Sequence, residues 1–354
     1  MAEQRSGRED PHPAEARGEG PTLNDVARVA RVSRQTVSNV LNAPDKVRTE
    51  TTRRVQQAIQ QLGYRPHRLA RNLKTRSSRM IGYEIARSRP GVINPVLDRF
   101  VHALVEAARD DGYHVLLFTP DEAGQIAAYD ELVGTRTVDG FVLSEVNYAD
   151  PRAIALQARG VPFVTFGRPD VPVAHTWIDV DGGAGVEAAV HHLAAQGHQR
   201  IAFIGWPEGS ATGDRRAEGF GRALAELGLD HDAALDVRVE DGADDGAHAL
   251  IHLLHGAEPP TAVVCVSDTI AVGVLRAATT RGLAVGSELA VAGFDDTPVA
   301  PLLTPQLTSV RQPLEAVAQR IVNHLTDILA GGAGKPDGEL LAPQLIVRAS
   351  THPY

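Results

Sequence analysis

Residues 22–42 read TLNDVARVARVSRQTVSNVLN, and the spacing inside this stretch decides what stands at the front of the chain. Thr22 is placed to cap a helix whose third residue, Asp25, can reach back to the cap in an acidic form of the capping box. Leu23, Val26, Ala27 and Ala30 then recur at i, i+3, i+4 and i+7, which makes one apolar stripe. A tight turn at Arg31-Val32 follows, and Ser33 is a good cap for a second helix reaching about Leu41. In that helix Val37, Val40 and Leu41 face inward, leaving Arg34, Gln35, Ser38 and Asn39 outside near its start. A third helix is expected over roughly residues 50–62, stopped by Gly63, with Val55, Ala58, Ile59 and Leu62 closing a small core.

Two short helices joined by a tight turn, with polar donors on the second, form a helix-turn-helix. Arginine suits the two acceptors of guanine, and Gln or Asn suits the acceptor and donor of adenine. Thr22, Arg34, Gln35, Thr36, Ser38 and Asn39 are therefore the candidate DNA contacts of this unit. The charge pattern agrees. The chain of 354 residues carries a net −9, yet residues 22–79 hold 13 Lys and Arg against 3 Asp and Glu, a net of +10, leaving −19 elsewhere. A basic head on an acidic body is what a nucleic-acid binder needs if its body is to stay off the phosphates.

Behind the head the pattern changes. Short apolar strands are expected at 81–85, 114–118, 140–143, 162–166, 201–205, 262–266 and 289–293. Amphipathic helices lie between them, among them 96–111, 183–196, 215–227 and 313–330. Strand–helix alternation implies parallel, doubly wound α/β sheets, and the length suits two such subdomains. Residues 1–20, rich in Gly, Pro, Glu and Arg, read as a disordered tail without the apolar segment of a secretory signal. The single cysteine, Cys265, lies in an apolar run and excludes a disulfide framework. No apolar run is long enough to cross a membrane. The expectation is a cytoplasmic, nucleoid-associated protein.

The head stretch, followed by VRTETTRRVQQAIQQLGYRPHRLARNLKTRSS at 47–78, closely resembles the lactose-repressor/galactose-repressor family of bacterial transcription regulators. The resemblance extends over the rest of the chain. It implies an all-α helix-turn-helix headpiece (21–66), a hinge helix and linker (67–79), and a periplasmic-binding-protein-like α/β core (80–354). In that core the N-subdomain would take about 80–177 and 308–342, and the C-subdomain about 178–307 and 343–354. It also implies that His67, Arg68, Ala70, Arg71 and Leu73 belong to the hinge that meets DNA. Leu73 would wedge into the minor groove, where an apolar side chain can unstack a base step. Two positions depart from the family: Arg31 stands where Gly is usual, and Asn39 where Arg is frequent.

Ligands of doubly wound folds bind outside the carboxyl ends of the strands. Arg168, Arg216 and Asp295 follow such ends, and Arg216 and Asp295 match the family's effector-contacting Arg and Asp. A sugar needs planar charged hydrogen-bonding groups and an aromatic face. Trp177, Trp206 and Phe294 could supply the face, and Asn94 and Asp179 are further candidates. The tryptophan that some family members carry after the strand at Val237 is absent, and Glu240-Asp-Gly242 stands there. The implied function is an effector-controlled repressor that binds a near-palindromic operator as a homodimer, with a carbohydrate in the cleft. A purine-type corepressor is the alternative within the family. A secreted sugar-uptake protein has no account for the basic head. An enzyme is not expected, because no nucleophile–base pair stands out. No cofactor is called for. His191, His192 and His198 lack metal-ligand spacing, and Gly331-Gly-Ala-Gly-Lys335 lacks the Ser or Thr of a phosphate loop.

Overall fold

The computed structural model describes residues 21–42, 44–64, 77–85, 94–120, 124–332 and 336–352. The tail 1–20 and the hinge candidates His67, Arg68, Ala70, Arg71 and Leu73 lie outside the described residues. The chain divides into two units, with the break before Ser77.

The first unit holds α1 (Leu23–Ala30), α2 (Arg34–Asn42) and α3 (Thr49–Leu62). Val26, Val37 and Val55 are fully buried in its core, together with Ala30, Val40, Ala58 and Tyr64. Gly63 ends α3 in a left-handed conformation, φ 59°, which glycine adopts without steric cost.

The second unit contains two six-stranded sheets. Its elements are β1 (Met80–Glu84), α4 (Pro95–Asp110), β2 (His114–Phe118), α5 (Gln125–Gly134), β3 (Gly140–Leu143), α6 (Pro151–Ala158), β4 (Phe163–Phe166) and β5 (Thr176–Val180). There follow α7 (Gly182–Ala195), β6 (Ile201–Gly205), α8 (Ala211–Leu227), β7 (Asp236–Arg238), α9 (Ala243–Leu254), β8 (Ala262–Cys265), α10 (Asp268–Thr280) and β9 (Ala290–Asp295). The chain closes with β10 (Thr308–Arg311), α11 (Leu314–Leu329), β11 (Gly338–Leu341) and β12 (Gln344–Ile346). The first sheet has the order β11-β5-β4-β3-β1-β2 and the second β12-β10-β9-β8-β6-β7. Every pairing is parallel except β12 against β10.

Both faces of the first sheet are covered. Val142 and Val164 face one core with Phe100, Leu104 and Ile321, while Phe141, Leu143 and Phe163 face another with Tyr129 and Leu156. Alternate residues of a strand point to opposite faces, so one apolar strand feeds both cores. Gly82 is part of that arrangement, because a Cβ there would strike the Phe141 ring.

Two of the expected chain crossings move. The sequence reading put them near residues 177 and 307, but β5 pairs with β11 through Val180, and β10 pairs with β9 through Arg311. The chain therefore leaves the first sheet after Val180 and returns to it after Arg311. A strand must complete its ladder before the chain can leave the sheet, which sets both positions. The third crossing, between β11 and β12, spans Ala342 and Pro343.

Candidate functional site

The helix-turn-helix is built by its caps. The Thr22 N–H and hydroxyl both donate to Asp25 Oδ2, at 2.9 and 2.7 Å. These bonds and the neighbouring Arg28 hold the Asp25 carboxyl down at about 2. Arg31 closes α1 in the left-handed region, φ 53° and ψ 48°. Ser33 Oγ accepts the Thr36 N–H at 3.1 Å and starts α2. Val37 and Val40 turn inward, leaving Arg34 and Gln35 exposed and Thr36, Ser38 and Asn39 half-buried. Gln35 Nε2 donates to Asn39 Oδ1 at 3.0 Å, so the two amides form one oriented pair one turn apart. This helix presents the donor and acceptor types that read base edges in a major groove.

A second candidate site lies in the core unit, where the carboxyl ends of both sheets converge. A cavity of about 280 Å³ is lined there by Phe166 and Asp179 from the first subdomain and by Trp206, Arg216, Asp241 and Asp295 from the second, with Asn94, Asn147 and Gln312 at its edges. Its size is near the lower end of small-molecule sites, roughly 300–1,000 Å³. In both sheets the strand order reverses beside the first strand, β1 in one and β6 in the other, which opens the crevice.

Arg216 is the centre of the cleft. Only 4 % of it is exposed. Nη1 donates to the Val266 carbonyl at 2.6 Å, and Nη2 lies 3.6 Å from Asp295 Oδ1. The guanidinium sits 3.7 Å from the centroid of the Phe294 ring and 5.2 Å from that of Trp206. Such stacking suits the planar, weakly hydrated guanidinium. Gly182, at the start of α7, makes room: a Cβ there would press on the Arg216 side chain. Burial lowers the Arg216 pKa against the opposing pull of Asp295, Asp179, Asp241 and Asp268. Burial likewise raises the Asp295 carboxyl to about 7 and Asp268 to about 6. Asp295 is held by Gln312 Nε2 at 2.7 Å, and Asp268 by Ser309 Oγ at 2.6 Å and the Thr297 N–H at 2.7 Å. Two buried donors that belong to cavity-lining residues, Arg216 Nε and Trp206 Nε1, have no partner among the described residues. A polyhydroxylated ligand has the acceptor oxygens to satisfy such groups.

The subdomains touch across the cleft. Asn147 Nδ2 donates to the Gly209 carbonyl at 3.0 Å, and its Oδ1 accepts the Ala211 N–H at 2.9 Å. Tyr148 donates to Asp214 at 3.1 Å, and Arg215 donates to the Arg168 carbonyl at 2.8 Å.

Of the eight expected effector residues, Asn94, Asp179, Trp206, Arg216 and Asp295 line the cavity, whereas Arg168, Trp177 and Phe294 are not among its lining residues. Trp177 lies two residues before Asp179 on β5, roughly 6–7 Å further from the carboxyl end. Its ring covers Gly338, where a Cβ would collide with it, and lies 5.5 Å from the Arg168 guanidinium. Arg168 instead pairs with the cavity-lining Asp179, at 2.9 Å. Asn94 accepts the Leu97 N–H at 3.1 Å as the cap of α4. Asn147, Asp241, Thr269 and Gln312 escaped the sequence reading. Gln312 could have been found had β10 been recognised, but its buried Thr308 and Ser309 hide the strand from an apolar pattern. Among the described residues no group of three or more His, Cys, Asp or Glu could hold a metal ion. His192 instead bonds Thr351 Oγ1, and His198 bonds Thr261 Oγ1, each at 2.9 Å.

Residues 22–67 match the bacterial regulatory proteins of the lacI family, and residues 190–351 match a periplasmic binding protein-like domain. The chain is 34% identical over 338 residues to the HTH-type transcriptional regulator AglR of Rhizobium meliloti (strain 1021), covering 94% of each chain. It is similar to a solved complex of the transcriptional regulator CelR with cellobiose, with 31% identity and a TM-score of 0.72, over 93% of this chain and 99% of that one. It also resembles the lac repressor dimer bound to operator and the anti-inducer ONPF, at 28% identity and a TM-score of 0.81, over 95% of this chain and 100% of that one. A helix-turn-helix unit and a two-sheet core with a cleft thus occur here in the same chain and order as in those regulators, and this chain belongs to the lacI family of DNA-binding transcription regulators.

Proposed function

We propose that this regulator is a repressor that binds a near-palindromic operator as a homodimer and is controlled by a neutral carbohydrate in the core cleft. The observation that carries the reading is the Arg216–Asp295 pair, buried beside Phe294 and Trp206 at the mouths of both sheets. Charged planar groups bind vicinal hydroxyls, and an aromatic face takes the C–H side of a sugar ring. The relative solved in complex with cellobiose supports a carbohydrate, and the repressor crystallised as a dimer on operator supports the assembly. On the DNA side, phosphate contacts from the basic head give affinity, and Arg34, Gln35, Ser38 and Asn39 give base preference. The effector acts by binding one orientation of the subdomains better than the other.

The test is a thermal-shift screen of mono- and disaccharides against nucleobases, repeated as a titration against a duplex that the full chain selects from a random pool. A sugar that raises the melting temperature and changes duplex affinity supports the reading. A nucleobase that strengthens duplex binding, with no sugar active, replaces it with a corepressor.

A further inference from the structure

Asp139 stands just before β3, at the end of that strand opposite the cleft. Its carboxylate accepts four hydrogen bonds from three consecutive residues: Ser77 Oγ at 2.5 Å, the Ser78 N–H at 2.6 Å, Ser78 Oγ at 2.8 Å and the Arg79 N–H at 2.9 Å. Its own N–H donates to the Met80 carbonyl at 2.8 Å. An ionised carboxylate has about four acceptor sites, so this one is fully used. Arg79 meanwhile holds φ 54°, a conformation that arginine ordinarily avoids, with its guanidinium 4.8 Å from the Tyr113 ring centroid. The first sheet begins only at Met80. Residues 77–79 add nothing to its ladder beyond the Arg79 carbonyl, which takes the His114 N–H at 3.0 Å. What the four bonds fix is the backbone of residues 77–79, the first described residues of the core unit.

We propose that Asp139 is a positioning residue for sequence-specific DNA binding, acting by holding residues 77–79, where the core unit begins, in one conformation. Non-specific binding needs only the charge of the head. Specific binding needs the head in register with its site, and an anchored linker lowers the ordering cost of reaching it. The clamp is also connected to the cleft. All four residues of β3 are buried, and the chain that leaves the strand continues through Ser144 to Glu145 and Asn147, which line the cavity.

The test uses the full chain, the duplex it selects from a random pool, and a scrambled duplex of equal length. Asp139→Ala is expected to weaken binding to the selected duplex about tenfold while leaving the scrambled duplex unchanged or slightly tighter. Asp139→Asn removes the same charge but keeps one carbonyl acceptor, and is expected to fall between wild type and Asp139→Ala. Equal loss on both duplexes, or wild-type affinity for the selected one, overturns the proposal. If Asp139→Ala does not fold, Ser78→Ala decides, because it removes only the Ser78 Oγ bonds to Asp139 and to the Met80 N–H. A folded Ser78→Ala chain is expected to lose preference for the selected duplex, and an unchanged ratio of the two affinities overturns the proposal.

Discussion

The Arg216 guanidinium lies 3.7 Å from the centroid of the Phe294 ring, and the next residue after that ring is its ion-pair partner, Asp295. One short stretch at the end of β9 therefore supplies both the apolar seat and the counter-charge of a buried arginine. Asp295 reaches it with φ 104°, outside the ordinary range of a non-glycine residue, which marks a local backbone set by the site.

Replacing Arg216 with alanine is expected to abolish any sugar-dependent change in duplex affinity while the head still binds DNA. The core should melt earlier, because losing one partner of a buried ion pair costs about 3–5 kcal/mol. Titrating sugar against duplex-bound Arg216→Ala checks this, and a dose curve like that of wild type would exclude the residue from the response.

Stability of the core should depend on pH through Asp295. Its folded pKa is raised to about 7 from an ordinary 3.8, so the folded state binds the proton more tightly than the unfolded chain. That contribution is complete below about pH 4 and is lost as pH rises through about 7. Asp268, raised to about 6, adds to the same trend. Melting temperature measured across this window should fall with pH in wild type. Asp295→Asn, which has no proton to lose, should flatten the curve.

Asn147 joins the two subdomains through a donor and an acceptor bond. Asn147→Ala should remove both, each worth about 0.5–1.5 kcal/mol, and shift the core towards a more open orientation. Small-angle scattering of the chain should record a larger radius of gyration, and sugar affinity should fall. An unchanged radius and affinity would show that the bridge does not bias closure.

Arg31 closes α1 in the left-handed region, where a Cβ is crowded. Arg31→Gly should stabilise the helix-turn-helix unit by about 1 kcal/mol. Hydrogen exchange of the Val26 and Val37 amides, both in its core, would report the gain as slower exchange.

On the outer face, Asn39→Ala should weaken the selected duplex by about 1–3 kcal/mol and relax preference at one base position. Gln35→Ala should show part of the same loss, because it removes the bond that orients the Asn39 amide. Repeating the random-pool selection with each variant gives the comparison, and equal loss on every sequence would point to a phosphate contact.

The helix-turn-helix was open to reading from residues alone because its determinants are local. Thr22, Asp25 and Ser33 cap helices within three residues, and Val26, Ala30, Val37 and Val40 lie on stripes set by helical periodicity. Several strands were equally legible where they are apolar throughout, as in β3 and β8. β5, β10 and β11 were not. Trp177 with Asp179, Thr308 with Ser309, and Gly338 with Glu339 break an apolar run, and their burial or pairing depends on partners far along the chain. Arg216 and Asp295 could be named in advance, but not Gln312 or Asn147, whose roles arise only where the two sheets meet.

The sequence by itself determined the basic head, its three helices, the αβ alternation and the charged residues at strand ends, since capping, periodicity and charge act over a few residues. Tertiary structure alone decided where the chain crosses between sheets, that Trp177 covers Gly338 instead of facing the cleft, and that Asp139 receives residues 77–79. Those outcomes rest on contacts between residues far apart in the chain, and no local pattern carries the register that brings such residues together.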